Sequence, residues 1–218
     1  PFPKPSAAGI SVVAQPRAKL CMQCPGLAEP VRMALAMTGL PWEDNRLTDA
    51  EFADLKPSLP NGQVPVLEVD GAVLPQSEAQ LRFAGKLAGL YPEDELEAAF
   101  ADAAVYAVAD MNPKLVEVFR EKDPAKKLEL GKNLAEGYIL AWLANLEKAL
   151  GSAGGNYFAG NKLSIGDIAV VARLRWLTDG TWDGIPTTLL DKFPLLSALV
   201  ERVSAEPRIA TYLCSMTK

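Results

Sequence analysis

The sequence predicts two unlike units in one chain, a small α/β unit followed by a larger all-helical one. Short β-branched runs bounded by Pro and Gly turns occur only before Gly89-Leu90-Tyr91-Pro92, whereas beyond it alanine and leucine recur at three- and four-residue spacing to the end. A chain of 218 residues that is 49% apolar can bury a core in each. On these signals residues 1–18 read as an N-terminal extension, 19–90 as the α/β unit and 95–218 as the helical unit.

Pro1 to Ala18 is rich in Pro, Ala and Ser, lacks acidic residues and shows no stable period. That suits the remnant of an organelle transit segment, and a cloning remnant equally. A first strand is expected over Ala18 to Gln23. Ala28 to Thr38 places Val31, Ala34, Leu35 and Met37 at helical spacing, and Gly39 closes that helix. A second strand follows near Trp42 to Leu47, then a short helix over Asp49 to Lys56. Gln63 to Val69 reads as a strand with Pro at its start, Asp70-Gly71 as a turn dipeptide, and Ala72 to Leu74 as the returning strand. Ser77 suits the cap of a helix whose apolar stripe is Ala79, Phe83, Ala84 and Leu87. The order is β-α-β, α, β-β-α.

In the second unit Glu93 to Arg120 and Pro124 to Leu150 read as long helices, the latter with Leu134, Tyr138, Trp142, Leu146 and Leu150 four residues apart. Ser164-Ile165-Gly166-Asp167 has the form of a capping box ahead of the apolar run Ile168 to Leu177. Helices over Leu189 to Ala205 and Pro207 to Leu213 complete the chain.

Composition excludes several functions. With 22 basic against 27 acidic side chains the net charge is −5, so the positive footprint that holds a phosphate backbone is missing and no nucleic-acid partner is expected. No apolar stretch approaches the ~20 residues of a membrane span, so no membrane partner is expected. Histidine is absent, which removes Ser-His and Cys-His catalysis. Cys21, Cys24 and Cys214 are split between the chain ends and make a poor zinc set, so no metal is expected. An odd count of three cysteines fits a reducing compartment.

Four motifs stand in order: Gly26-Leu27-Ala28-Glu29-Pro30-Val31-Arg32, Gln63-Val64-Pro65-Val66-Leu67, Gln76-Ser77-Glu78-Ala79, and Tyr157-Phe158-Ala159-Gly160-Asn161-Lys162-Leu163-Ser164-Ile165-Gly166-Asp167. Together they resemble the cytosolic glutathione transferases from about Lys19 to Leu213, most closely the sigma class. The resemblance implies an N-terminal thioredoxin-like domain, a helical C-terminal domain, a homodimer, glutathione as co-substrate, a small hydrophobic second substrate and a role in detoxification. The protein is expected in the cytoplasm, with an organelle (a plastid) after removal of a transit peptide as the alternative.

The resemblance also assigns site residues. A cis Pro65 turns the Val64 N–H and C=O outward to pair with the cysteinyl unit like an added strand. Gln63 belongs to the same segment. Ser77, at a helix N-terminus, takes the γ-glutamyl carboxylate with Gln76 beside it. Lys56 falls where the family binds the glycyl carboxylate, Phe52 where many members carry Trp, and Asp110 matches an acid that reaches the ligand's ammonium across the dimer interface. Met111, Leu115 and Trp176 fall on the expected second-substrate wall.

One position departs from the family. Sigma-type members put a Tyr at the end of the first strand, where its hydroxyl supports the glutathione thiolate. All five tyrosines here lie at or beyond Tyr91, and the position falls on Cys21 or Met22. Leu27 replaces the motif's arginine. In that loop stands Cys24-Pro25, which resembles the Cys-Pro start of glutaredoxins and omega-class transferases. A thiol at a helix N-terminus is a candidate for disulfide exchange with glutathione, with Cys21 as a weaker one at C-x-x-C spacing. The expected function is a glutathione transferase or thiol transferase. The alternative is a binding or structural protein that keeps the fold without turnover, such as a crystallin or an assembly subunit.

Overall fold

The computed structural model describes residues 17–19 and 25–216. Four short strands, β1 (Arg17–Lys19), β2 (Glu43–Asn45), β3 (Val66–Val69) and β4 (Ala72–Pro75), form one sheet in the order β2-β1-β3-β4. β1 runs parallel to β2 and antiparallel to β3, with Ala18 opposite both Asp44 and Leu67. The β3-β4 hairpin turns at Asp70-Gly71, both at positive φ (50° and 81°), which is why this turn selects Asp and Gly. Gln63 to Pro65 precede β3 rather than forming part of it, because their backbone bends at the cis Val64-Pro65 bond.

Helix α1 (Glu29–Thr38) starts from a tight turn at Gly26–Ala28 and ends at Gly39. It buries Val31, Met33, Ala34 and Leu35. α2 (Asp49–Leu55) is capped by Thr48, which exchanges hydrogen bonds with Glu51. α3 (Ser77–Leu87) buries Gln80, Leu81, Ala84 and Gly85, not the expected stripe; Ala79, Phe83 and Leu87 are half-buried. Its face is set by Ile165 packing onto Gly85 and by the Gln80 amide, which donates to the carbonyls of Pro65 and Leu74 at 2.9 Å each.

The rest is helical: α4 (Glu95–Ala109), α5 (Asn112–Arg120), α6 (Pro124–Leu134), α7 (Leu140–Ser152), α8 (Ile165–Thr178), α9 (Pro194–Ser204) and α10 (Pro207–Ser215). The single helix expected over Glu93 to Arg120 is two, broken at Asp110-Met111. Pro113 lacks the N–H a continuing helix would need there, and it fits instead at the second position of α5. α6 passes into α7 through one wide turn at Ala135–Ile139 whose hydrogen bonds skip five residues. That turn shifts the face: Ala135, Ile139, Trp142, Leu143, Leu146 and Leu150 are buried, and Leu134 and Tyr138 are only partly so.

α8 is the central helix, buried from Ile165 through Leu174 and packed on α4, α1 and α9. Asp167 accepts from the N–H groups of Phe158 and Ser164 and from the Ser164 hydroxyl at 2.7–2.9 Å, as the capping box predicts. One apolar cluster runs without interruption from Leu35 and Leu67 through Leu81 to Val105, Ile168, Leu196 and Ile209. α10 returns to α1, where the Tyr212 hydroxyl donates to Glu29 at 3.0 Å. Among the described residues no helix is long and apolar enough to cross a membrane.

Candidate functional site

The site is built where three segments of the first unit converge. Below it, Arg32 is fully buried and holds the approach to α1 in place: its Nε donates to Asp44 at 3.0 Å, and its Nη1 donates to Glu29 and to the Pro25 carbonyl at 3.2 Å. Burial opposes a charge there, but the carboxylates of Asp44 and Glu29 outweigh it and keep the guanidinium protonated. Thus Glu29 and Arg32 of the first motif are internal supports, and Leu27 is the residue of that turn that faces the cleft.

The cleft is lined by Leu27, Asn61, Gln63, Val64, Gln76 and Ser77 together with Pro60, Pro65 and Pro75. Five residues expected from sequence therefore meet: Gln63, Val64, Pro65, Gln76 and Ser77. Pro65 follows a cis bond and its carbonyl is anchored by Gln80. Gln76 sits at φ 70° and ψ 111°, a conformation L-residues seldom adopt, and it aims the chain into α3. Gln76, not Ser77, is the N-cap; Ser77 is the first residue of α3, so its N–H is one of the helix's unbonded donors. The Ser77 hydroxyl donates to Glu78 Oε2 at 3.0 Å.

Other expected residues lie apart. The Lys56 ammonium stands over the Phe52 ring at 5.9 Å, at the edge formed by Gly62 rather than in the cleft lining. Asp110 is exposed in the turn after α4, and its carbonyl accepts from the Tyr138 hydroxyl at 3.5 Å. Met111 and Leu115 are 0% and 2% exposed, so they are core residues and cannot form a substrate wall. Trp176 is half-buried with Arg173 over its ring. Cys21 and Cys24 lie outside the described residues.

Sequence reasoning missed Asn61 and Leu27 as cleft residues, and Gln80 as the buried amide that anchors the Pro65 carbonyl. Asn61-Gly62 carries a turn signal, and both sit at φ 58°; Gln80 has none, since nothing local marks a buried amide.

Comparison with known proteins gives a consistent result. The family model "Glutathione S-transferase, N-terminal domain" matches residues 27–87, and "Glutathione S-transferase, C-terminal domain" matches 109–216. The chain is 33% identical over 195 residues to the hematopoietic prostaglandin D synthase of Gallus gallus, covering 86% of this chain and 90% of that one. The structure of prostaglandin synthase D of Nilaparvata lugens superposes with a TM-score of 0.82 at 32% identity, covering 91% and 96% of the two chains. The sigma class transferase of Fasciola hepatica gives 0.82 at 26% identity, covering 94% and 98%.

Proposed function

The chain belongs to the glutathione S-transferase family, and from that premise we propose that the cleft between Gln63-Val64-Pro65 and Gln76-Ser77 binds glutathione for a transfer reaction. The observation that carries this is the convergence of those five residues on one cleft at the start of α3.

Glutathione would lie extended along Val64, whose N–H and C=O pair with the cysteinyl unit as a neighbouring strand would. Its γ-glutamyl carboxylate would take the Ser77 N–H and hydroxyl, helped by the positive end of α3, with Gln76 beside it. Lys56, exposed at the cleft's edge, would meet the glycyl carboxylate above Phe52. Asp110, exposed at its turn, would meet the ammonium from a second copy of the chain in a homodimer.

Cys24 would carry the covalent step. Pro25, the next residue, leads directly into the tight turn and α1, a place where unbonded N–H groups favour a thiolate. That thiolate would attack a glutathionyl mixed disulfide at the glutathione sulfur, forming a Cys24–glutathione disulfide and expelling the other partner as a thiolate. A second glutathione thiolate would then attack the glutathione sulfur, leaving oxidised glutathione and restoring Cys24. Conjugation of glutathione to a small hydrophobic electrophile is the other transfer the same cleft would serve.

Calorimetry with reduced glutathione on wild type and Cys24→Ser, with intact mass measured in parallel after incubation with oxidised glutathione, tests this. Binding by both proteins, with a glutathionyl adduct only in wild type, is expected for exchange through Cys24. Binding without an adduct, together with turnover of an electrophile, assigns conjugation. Absence of binding by both refutes the cleft assignment.

A further inference from the structure

Beside the glutathione cleft, and sharing Leu27 and Ser77 with it, lies a crevice between α3 and α8. At about 30 Å³ it has room for a couple of waters and no larger ligand. Its wall is apolar apart from four side chains, Ser77, Glu78, Asn112 and Arg173, and Glu78 and Arg173 are the charged ones. Arg173 is only 5% exposed. It donates through Nη2 to the Asn112 side-chain oxygen and lies over the Trp176 ring at 5.2 Å. Neither partner carries a negative charge, so Glu78 is the carboxylate that opposes this buried cation across the crevice. Burial pushes the guanidinium down to about 10, and Glu78 works against that shift.

Glu78 has a competing attachment, since it accepts the Ser77 hydroxyl at 3.0 Å. A Ser77 proton committed to Glu78 cannot serve a glutathione carboxylate, and an uncompensated Glu78 would repel that carboxylate from the first turn of α3. A cation behind Glu78 offsets the second obstacle, and the first bond is given up when a carboxylate enters.

Resting on the reading of the cleft as the glutathione seat, we propose that Arg173 is a positioning residue for glutathione: from the crevice behind Glu78 its charge offsets the negative charge that Glu78 sets beside the γ-glutamyl subsite. It acts through Glu78 and does not touch the ligand, because the crevice is too small to admit one.

The test is a cycle of four full-length proteins, wild type, R173M, E78Q and R173M/E78Q, each titrated with reduced glutathione by calorimetry after its fold is checked by circular dichroism. R173M should weaken binding about tenfold or more when Glu78 is present, and by less than about threefold when position 78 is Gln. R173K, which keeps the charge, should lose far less than R173M. If R173M does not fold, R173Q takes its place in the cycle. An equal loss in both backgrounds, or no loss in either, overturns the proposal while leaving the glutathione cleft intact. A wild type that takes no glutathione overturns the cleft reading and this inference with it.

Discussion

Asp167 is almost fully buried yet keeps three donors within 2.9 Å, two of them backbone N–H groups that no other described group satisfies as well. Asp167→Ala should cost about 2–4 kcal/mol in denaturant unfolding, since it orphans both N–H groups; a loss under about 1 kcal/mol would contradict this account. Burial raises the carboxyl's folded pKa although the donors pull it down. A raised acid favours folding below its unfolded pKa and loses that contribution as pH rises through the folded value. The advantage of wild type over Asp167→Asn should therefore shrink as pH is raised from the acid side. At the cleft, Ser77→Ala should weaken glutathione binding about tenfold, by calorimetry, with little change in stability because that hydroxyl bonds only the half-buried Glu78. Site residues were legible where they stand together in sequence, as Gln63-Val64-Pro65 and Gln76-Ser77 do. Gln80 and Arg173 were not, because what they do depends on partners brought near only by folding.

The helices show where local signals sufficed. The Ser164-Asp167 box and the Asp70-Gly71 turn appear where their residues put them, because each motif satisfies its own backbone. Asp94 and Asp123, which cap α4 and α6 by accepting from the N–H groups two and three residues on, carry an equally local signal that the sequence reading passed over. Pro113 was in plain view as the break between α4 and α5. Packing between helices was not legible. Gly131 lies so close to the loop after α8 that an added Cβ would stand 1.9 Å from the Asp183 carbonyl oxygen. Backbone cannot yield as a side chain can, so Gly131→Ala should cost about 2–3 kcal/mol in thermal or denaturant unfolding, and a change below about 0.5 would show that the loop moves freely.

At the scale of the molecule the order of units was readable from where strand signals stop, while their union was not. One apolar cluster joins the sheet, α1 and α3 to the helical bundle, and α10 closes onto α1. Far-UV circular dichroism and tryptophan fluorescence should therefore report one coincident unfolding transition, Trp42 lying in the first unit and Trp142, Trp176 and Trp182 in the second. Two separated transitions would show that the halves fold independently. Tyr212→Phe removes the hydroxyl that Glu29 accepts across this junction and should lower the shared midpoint by an amount equivalent to about 1 kcal/mol, without splitting it.

The wide turn at Ala135–Ile139 has a consequence for descent. A turn that fits one extra residue into a single revolution keeps the helix after it in phase with the helix before it. Deleting one residue there would restore ordinary winding and leave the phase of α7 nearly unchanged. Trp142, Leu146 and Leu150 would then stay on the core side. The wide turn is thus a place where the helix can change length by one residue without rebuilding the core that α7 faces.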